Sequence, residues 1–180
     1  LLYRMNNARD AVVRGPVTGA IEMVSPNFNF TTQGMSAVGA TVNGPAGSFN
    51  TLTSYGGELY FNYGATTGRT LTVALSGPFG RIENQAQGGA TPSFTLPLAD
   101  GDSVGVSVLF DDVNSTPSER DAWYHAMVAH DFIKTIEPGY SFCDYVMPIR
   151  VELNQTCNAF WDGYGVNFFH EGGGCANTGR

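Results

Sequence analysis

His170 and Glu171 are the first residues to invite a chemical reading. They open the pattern H-E-x-x-H, in which two histidines one helical turn apart bind zinc and the glutamate acts as general base. Here the fifth position is Gly174, and glycines fill 172–174. A run of glycines does not sustain a helix interior, since each costs about 1 kcal/mol relative to alanine. The pair therefore reads as loop rather than as a metal-binding helix. His125 and His130 form the other suggestive pair. Five residues along a helix is about 500°, which leaves the two imidazoles about 140° apart, and structural roles are expected for both. Three histidines and scattered serines define no Ser-His-Asp or Cys-His set. No catalytic residue and no set of three or four metal ligands is read in this chain.

The remaining chemistry is structural. Cys157 and Cys175 enclose a glycine-rich loop and are expected to form a disulfide, a closure contributing roughly 3 kcal/mol. Cys143 has no evident partner, and an odd count in an exported chain leaves one thiol over. Asp111, Asp112 and Asn114, close in sequence to Asp100 and Asp102, could offer Ca²⁺ its oxygen ligands. Their spacing matches no EF-hand loop, and a solvated acidic loop is the plainer reading.

These residues sit in a chain of 180 with 42% hydrophobic and only 14% charged residues, rich in glycine (23), and with a net charge of −7. The composition suits β-structure with many turns and an exported protein, extracellular or periplasmic. The acidic balance gives nucleic acid no basic surface. No apolar run approaches the ~18 residues of a membrane span. The sequence opens and closes without terminal signals, which reads as a piece of a longer precursor.

The elements that must position the chemistry follow from periodicity. Short alternating runs at 17–24, 35–42, 48–52, 58–63, 70–75 and 80–83, punctuated by Gly-Pro and Asn-Gly turns, predict a small β-sandwich over roughly 1–90. Pro97 places 94–98 at a sheet edge, and 104–110 reads as one strand. Thr116, Pro117 and Glu119 predict a capped helix running to about Lys134. Trp123, Tyr124, Met127, Val128, Phe132 and Ile133 spread over a wide face, so the helix is expected to be largely buried. The run 144–153 alternates as a strand, and Pro148 places it at an edge open to an extended peptide. The fold class expected is mixed and mainly β, divided into 1–90 and 91–180.

Asn158-Ala159-Phe160-Trp161-Asp162-Gly163 is similar to the N-A-F-W-x-G segment of thermolysin-like zinc metallopeptidases. The longer pattern from Asn154 to Thr178, and the helix A-W-Y-H-x-x-x-x-H-D-F at 122–132, resemble bacterial relatives of the fungalysin and thermolysin clan. The resemblance covers about 105–180. It implies a secreted zinc endopeptidase whose H-E-x-x-H helix lies in a C-terminal remainder of the same precursor, so that this chain alone is inactive. It also implies that the edge strand and the turn after it form the rim of a peptide-substrate cleft. The Asn158 side chain and the Ala159 backbone would contact the substrate, Phe160 and Trp161 would anchor the turn in the core, and the Cys157–Cys175 loop would brace the rim. Residues 1–90 bear a diffuse resemblance to transthyretin-like or carboxypeptidase-regulatory-like modules. Two other readings stand beside this one: a non-enzymatic secreted adhesion or assembly module with a degenerate peptidase-like segment, and a propeptide-type inhibitor of its own protease.

Overall fold

Alternation of apolar and polar residues settles the strands, and the places where it breaks settle the turns between them. A computed structural model describes residues 11–22, 30–45, 47–63, 68–99 and 103–176. In chain order its elements are β1 (Ala11–Glu22), β2 (Phe30–Gly34), β3 (Gly39–Gly44), β4 (Gly47–Leu52), β5 (Glu58–Tyr63), β6 (Arg69–Ala74), β7 (Gly80–Asn84), β8 (Ser93–Leu98), β9 (Ser103–Gly105), β10 (Val108–Phe110), α1 (Pro117–Ile136), β11 (Met147–Thr156), β12 (Ala159–Trp161) and β13 (Val166–His170). The fold is mixed and mainly β.

Two sheets face each other across a shared core. One is antiparallel, in the order β4-β3-β6-β8. The other is built around β1, whose first half pairs with β5 and β9 and whose second half pairs with β2 and β10. Val42, Leu71 and Val73 from the first sheet join Val13, Val17 and Ile21 of β1 in one cluster, each fully buried. Phe94 meets Phe110 edge-on across the gap, at 5.6 Å between centroids. Pro97 does lie on an edge strand, β8.

The single strand expected over 104–110 is two. Val106 turns off the ladder between β9 and β10, and its amide donates to the Arg14 carbonyl (2.9 Å). Gly15 permits this approach, because a Cβ there would lie 1.8 Å from the Val106 oxygen. Met35–Val38, expected as strand, is a turn with Ala37 at φ 54°.

A third sheet, in the order β12-β13-β11-β7, carries the C-terminal stretch. β7 and β11 run parallel, with Ile82 opposite Ile149. The division expected near residue 90 therefore does not coincide with a break in the pairing. β6 pairs with β8, β1 with β9 and β10, and β7 with β11, so strands from both sides of that point share every sheet.

α1 starts at the expected capping box: Glu119 N donates to the Thr116 hydroxyl and Thr116 N donates to Glu119 Oε2. Its first turns are fastened by buried polar groups. Arg120, 1% exposed, donates to the carbonyls of Ala20 and Ser115 (both 2.8 Å) and pairs with Asp112 at 2.7 Å. Asp121 accepts from the Glu22 amide, and Glu119 from the Asn84 side chain. Trp123 is fully buried, and its indole N–H donates to Ser36 O (3.1 Å). The second half departs from expectation. Phe132 and Ile136 are 64% and 69% exposed.

Candidate functional site

β11 is not an edge. It lies between β7 and β13, and Pro148 sits opposite Arg81 of parallel β7. The sheet's edge on the C-terminal side is β12, the Ala159-Phe160-Trp161 of the resemblance.

The ladder between β12 and β13 shows which backbone groups β12 leaves outward. Phe169 N donates to Asn158 O (3.1 Å), and Asp162 N donates to Gly165 O (3.2 Å). Those bonds flank the opposed pairs Ala159–Phe168 and Trp161–Val166, which are thereby the non-hydrogen-bonded pairs of an antiparallel ladder. In such pairs the N–H and C=O point away from the partner strand. Ala159 and Trp161 thus turn their peptide groups to the open side. The Ala159 amide is taken by the Asn158 carboxamide oxygen at 2.9 Å. The Ala159 carbonyl and both Trp161 groups are left to face outward. Asn158 itself is exposed.

Side chains alternate across β12. Ala159 and Trp161 share the face of Phe168 and Val166, which line a cavity of about 510 Å³ between α1 and the sheet. Its other walls include Phe79, Ala122, His125, His130, Phe142 and Tyr145. Phe160 points to the opposite face, where its ring meets Phe169 at 5.9 Å. Neither Phe160 nor Trp161 is anchored in the core. Both are 43% exposed, since a three-residue strand at a sheet margin is covered on one side only.

The turn after β12 is held by one carboxylate. Asp162 Oδ1 accepts from the amides of Tyr164 (2.9 Å) and Gly165 (2.7 Å), and Oδ2 pairs with Arg150 at 2.6 Å. Gly163 at φ 92° supplies the reversal. The Gly165 and Tyr164 amides, then Asn167 and Arg150, hold the Asp162 carboxyl well below the ordinary carboxylate range. Tyr145 Oη donates to the Tyr164 carbonyl (2.5 Å) and ties the turn to the loop after α1.

The expected disulfide is present. Cys157 and Cys175 are bonded with Cα atoms 5.2 Å apart, which fastens the start of β12 to the segment beyond β13. Cys143 is a free thiol.

His170 ends β13 rather than lying in a loop, and Glu171 follows it, exposed. His170 Nδ1 donates to the Leu153 carbonyl at 3.0 Å. Of the acidic residues considered for calcium, Asp100 and Asp102 lie outside the described residues. Asp112 is paired with Arg120, and Asp111 Oδ1 and Asn114 Oδ1 accept backbone amides of their own turn. His125 and His130 both border the cavity, although they diverge around the helix. Burial lowers the His125 pKa from its ordinary value. The grouping that sequence reasoning missed is His130, Cys143 and Asp144, whose donor atoms all lie within 4.8 Å of one another.

No known protein-family model matches this chain, and no curated protein matches its sequence. What the fold and site define is a mainly β chain with an open three-residue edge strand, a disulfide-braced margin and an apolar cavity beside it.

Proposed function

We propose that this chain is part of a secreted zinc metalloendopeptidase, supplying the rim that binds the substrate peptide. The observation that carries the reading is β12. The Ala159 carbonyl and the Trp161 N–H and C=O face outward from a sheet edge, beside an apolar cavity that could receive side chains. An extended peptide adds to such an edge by the ordinary ladder bonds, and pockets for alternate side chains add selectivity. Asn158 would reach the same peptide once its carboxamide releases the Ala159 amide.

The described residues do not assemble a catalytic zinc centre of the H-E-x-x-H kind. His170 stands at a strand end, bonded to Leu153, and glycines follow Glu171. No hydrolytic step is assigned to this chain. Zinc and the general base would come from the C-terminal remainder of the precursor, with which this chain associates. The exposed Tyr140 and Phe142, whose side chains line the cavity, support such a partner, because apolar groups at the mouth of a pocket are usually covered.

Amide chemical-shift mapping with a short, blocked apolar peptide tests the rim. Shifts confined to 158–163 and the cavity wall are expected, and they should vanish when the peptide's backbone is N-methylated. Saturating peptide that leaves 158–163 unmoved removes the rim role. A precursor without H-E-x-x-H downstream of Arg180 removes the peptidase reading.

A further inference from the structure

Three side chains of different donor type converge where the chain leaves α1. His130 is 7% exposed and stacks on Phe79 at 3.8 Å between centroids, so its ring is fixed. One ring nitrogen, Nδ1, meets Asp131 Oδ1 at 3.1 Å, and the other, Nε2, lies 3.3 Å from Asp144 Oδ1. Cys143 Sγ lies 3.9 Å from the same Asp144 oxygen. Asp144 is itself oriented. Lys134 Nζ holds its Oδ2 at 2.6 Å and donates also to the Tyr140 carbonyl at 2.7 Å, leaving Oδ1 turned toward His130.

The geometry points to a divalent transition-metal site of the zinc class formed by His130 Nε2, Cys143 Sγ and Asp144 Oδ1. Bond lengths of about 2.0–2.1 Å to nitrogen and oxygen and about 2.3 Å to sulfur put tetrahedral ligand atoms about 3.3 Å apart for N···O and about 3.6 Å for S···O. The first separation is already met; the second is 3.9 Å, and Nε2 and Sγ lie within 4.8 Å of each other against about 3.6 Å in the bound site, so the thiol must swing inward by up to about 1 Å. Asp131 on Nδ1 is the carboxylate–histidine arrangement that fixes the tautomer and frees Nε2 for a metal. Thiolate and imidazole together select zinc-like ions over magnesium or calcium. His130 and Cys143 also border the cavity, which gives the ion an entry path and leaves the fourth position to water. Binding replaces the Cys143 S–H bond by a metal–sulfur bond. The thiol proton, with any proton on His130 Nε2, passes to buffer, and no redox change occurs. This site is separate from the catalytic zinc discussed above and does not depend on it.

The test uses the 180-residue chain without an affinity tag, titrated with Co²⁺ and then competed with Zn²⁺. One Co²⁺ per chain is expected, with a thiolate-to-cobalt charge-transfer band in the near ultraviolet that Zn²⁺ abolishes. Cys143→Ser should remove the band. Asp144→Asn, at a partly exposed position, should weaken affinity by more than the ~10–100-fold typical of losing an outer-shell partner, with the circular-dichroism spectrum and melting midpoint confirming that the chain still folds. His170→Gln should change neither. The competing reading is a histidine hydrogen-bonded between Asp131 and Asp144 with a bystander thiol. Absence of the band in the wild-type chain, or a band unchanged in Cys143→Ser, establishes that reading and overturns the metal site.

Discussion

Removing the Cys157–Cys175 bond should show how far the edge strand depends on its brace. The bond closes a loop spanning 18 positions. The chain-entropy relation gives about 11 cal/mol/K for such a loop, or about 3 kcal/mol at 25 °C. For a chain of this size 1 kcal/mol moves the unfolding midpoint by roughly 2–4 °C, so the double variant Cys157→Ala/Cys175→Ala should melt roughly 6–12 °C lower. The bond also acts locally. Among the described residues β12 has one partner strand, and the Ala159–Trp161 ladder is flanked by bonds at Asn158 O and Asp162 N. Without the disulfide, amide exchange at Phe169 and Asp162 should quicken more than at Ile149 or Val151, which are buried in the sheet's interior. Differential scanning calorimetry and hydrogen exchange read the two effects separately. A midpoint within about 2 °C of the parent, with unchanged exchange at Phe169 and Asp162, would mean that β13 alone holds the edge, and the bracing argument would fail.

Trp123→Ala empties a fully buried site and orphans the Ser36 carbonyl, so urea unfolding should show a loss of about 3–5 kcal/mol; a loss below 2 kcal/mol would deny that α1 is pinned there. Thr116→Ala removes the helix cap and should cost about 1 kcal/mol in the same assay, with a change in midpoint but not in slope. The Asp162 carboxyl, depressed by the Gly165 and Tyr164 amides, contributes stability above the ordinary carboxylate range and loses it only as pH falls through its own lower value. Its side-chain carbonyl resonance should therefore titrate after those of the other surface carboxylates, and titration alongside them would refute the turn's geometry. His125, with a pKa lowered by burial, stays neutral to lower pH in the folded chain than in the unfolded one, which takes up a proton below about 6.5, so its contribution to stability falls as pH drops below that point. An imidazole titration by NMR with a midpoint at or above the ordinary value would contradict this.

Local signals were legible where local chemistry decides the outcome. The capping box at Thr116–Glu119, the edge placement of Pro97, the mainly β character and the Cys157–Cys175 pair all rest on residues near one another in sequence or on simple alternation. Partnership between distant strands was not legible. Pro148 argued for an edge because proline donates no ladder bond, yet parallel pairing tolerates one missing donor near the start of β11. The division near residue 90 failed to appear in the pairing for the same reason. Nothing in 80–84 says that its partner lies at 147–151, and nothing in 11–22 says that 103–110 will flank it. Residues 158–163 stood out by their motif, but which of their backbone groups face outward depends on the register with β13.

The His130 grouping shows why helix arithmetic alone misdirects a search for ligands. The roughly 140° between the two histidines on α1 argues against their sharing one ion. It bears only on sites whose ligands all come from the helix. Beyond Ile136 the chain folds back through successive turns, with Tyr140 N bonded to Glu137 O and Asp144 N to Ser141 O. Lys134 then ties the returning loop to the helix through Tyr140 and Asp144. That return brings residues 13 and 14 positions later alongside His130, a spacing with no meaning on a helix. The tie is testable by itself. Lys134→Met should loosen the loop, speeding amide exchange at Asp144 and Met147 while leaving the capped start of α1 at Glu119 and Arg120 unchanged. Equal exchange at Asp144 in both proteins would show that the loop is held by the cavity's aromatic wall instead.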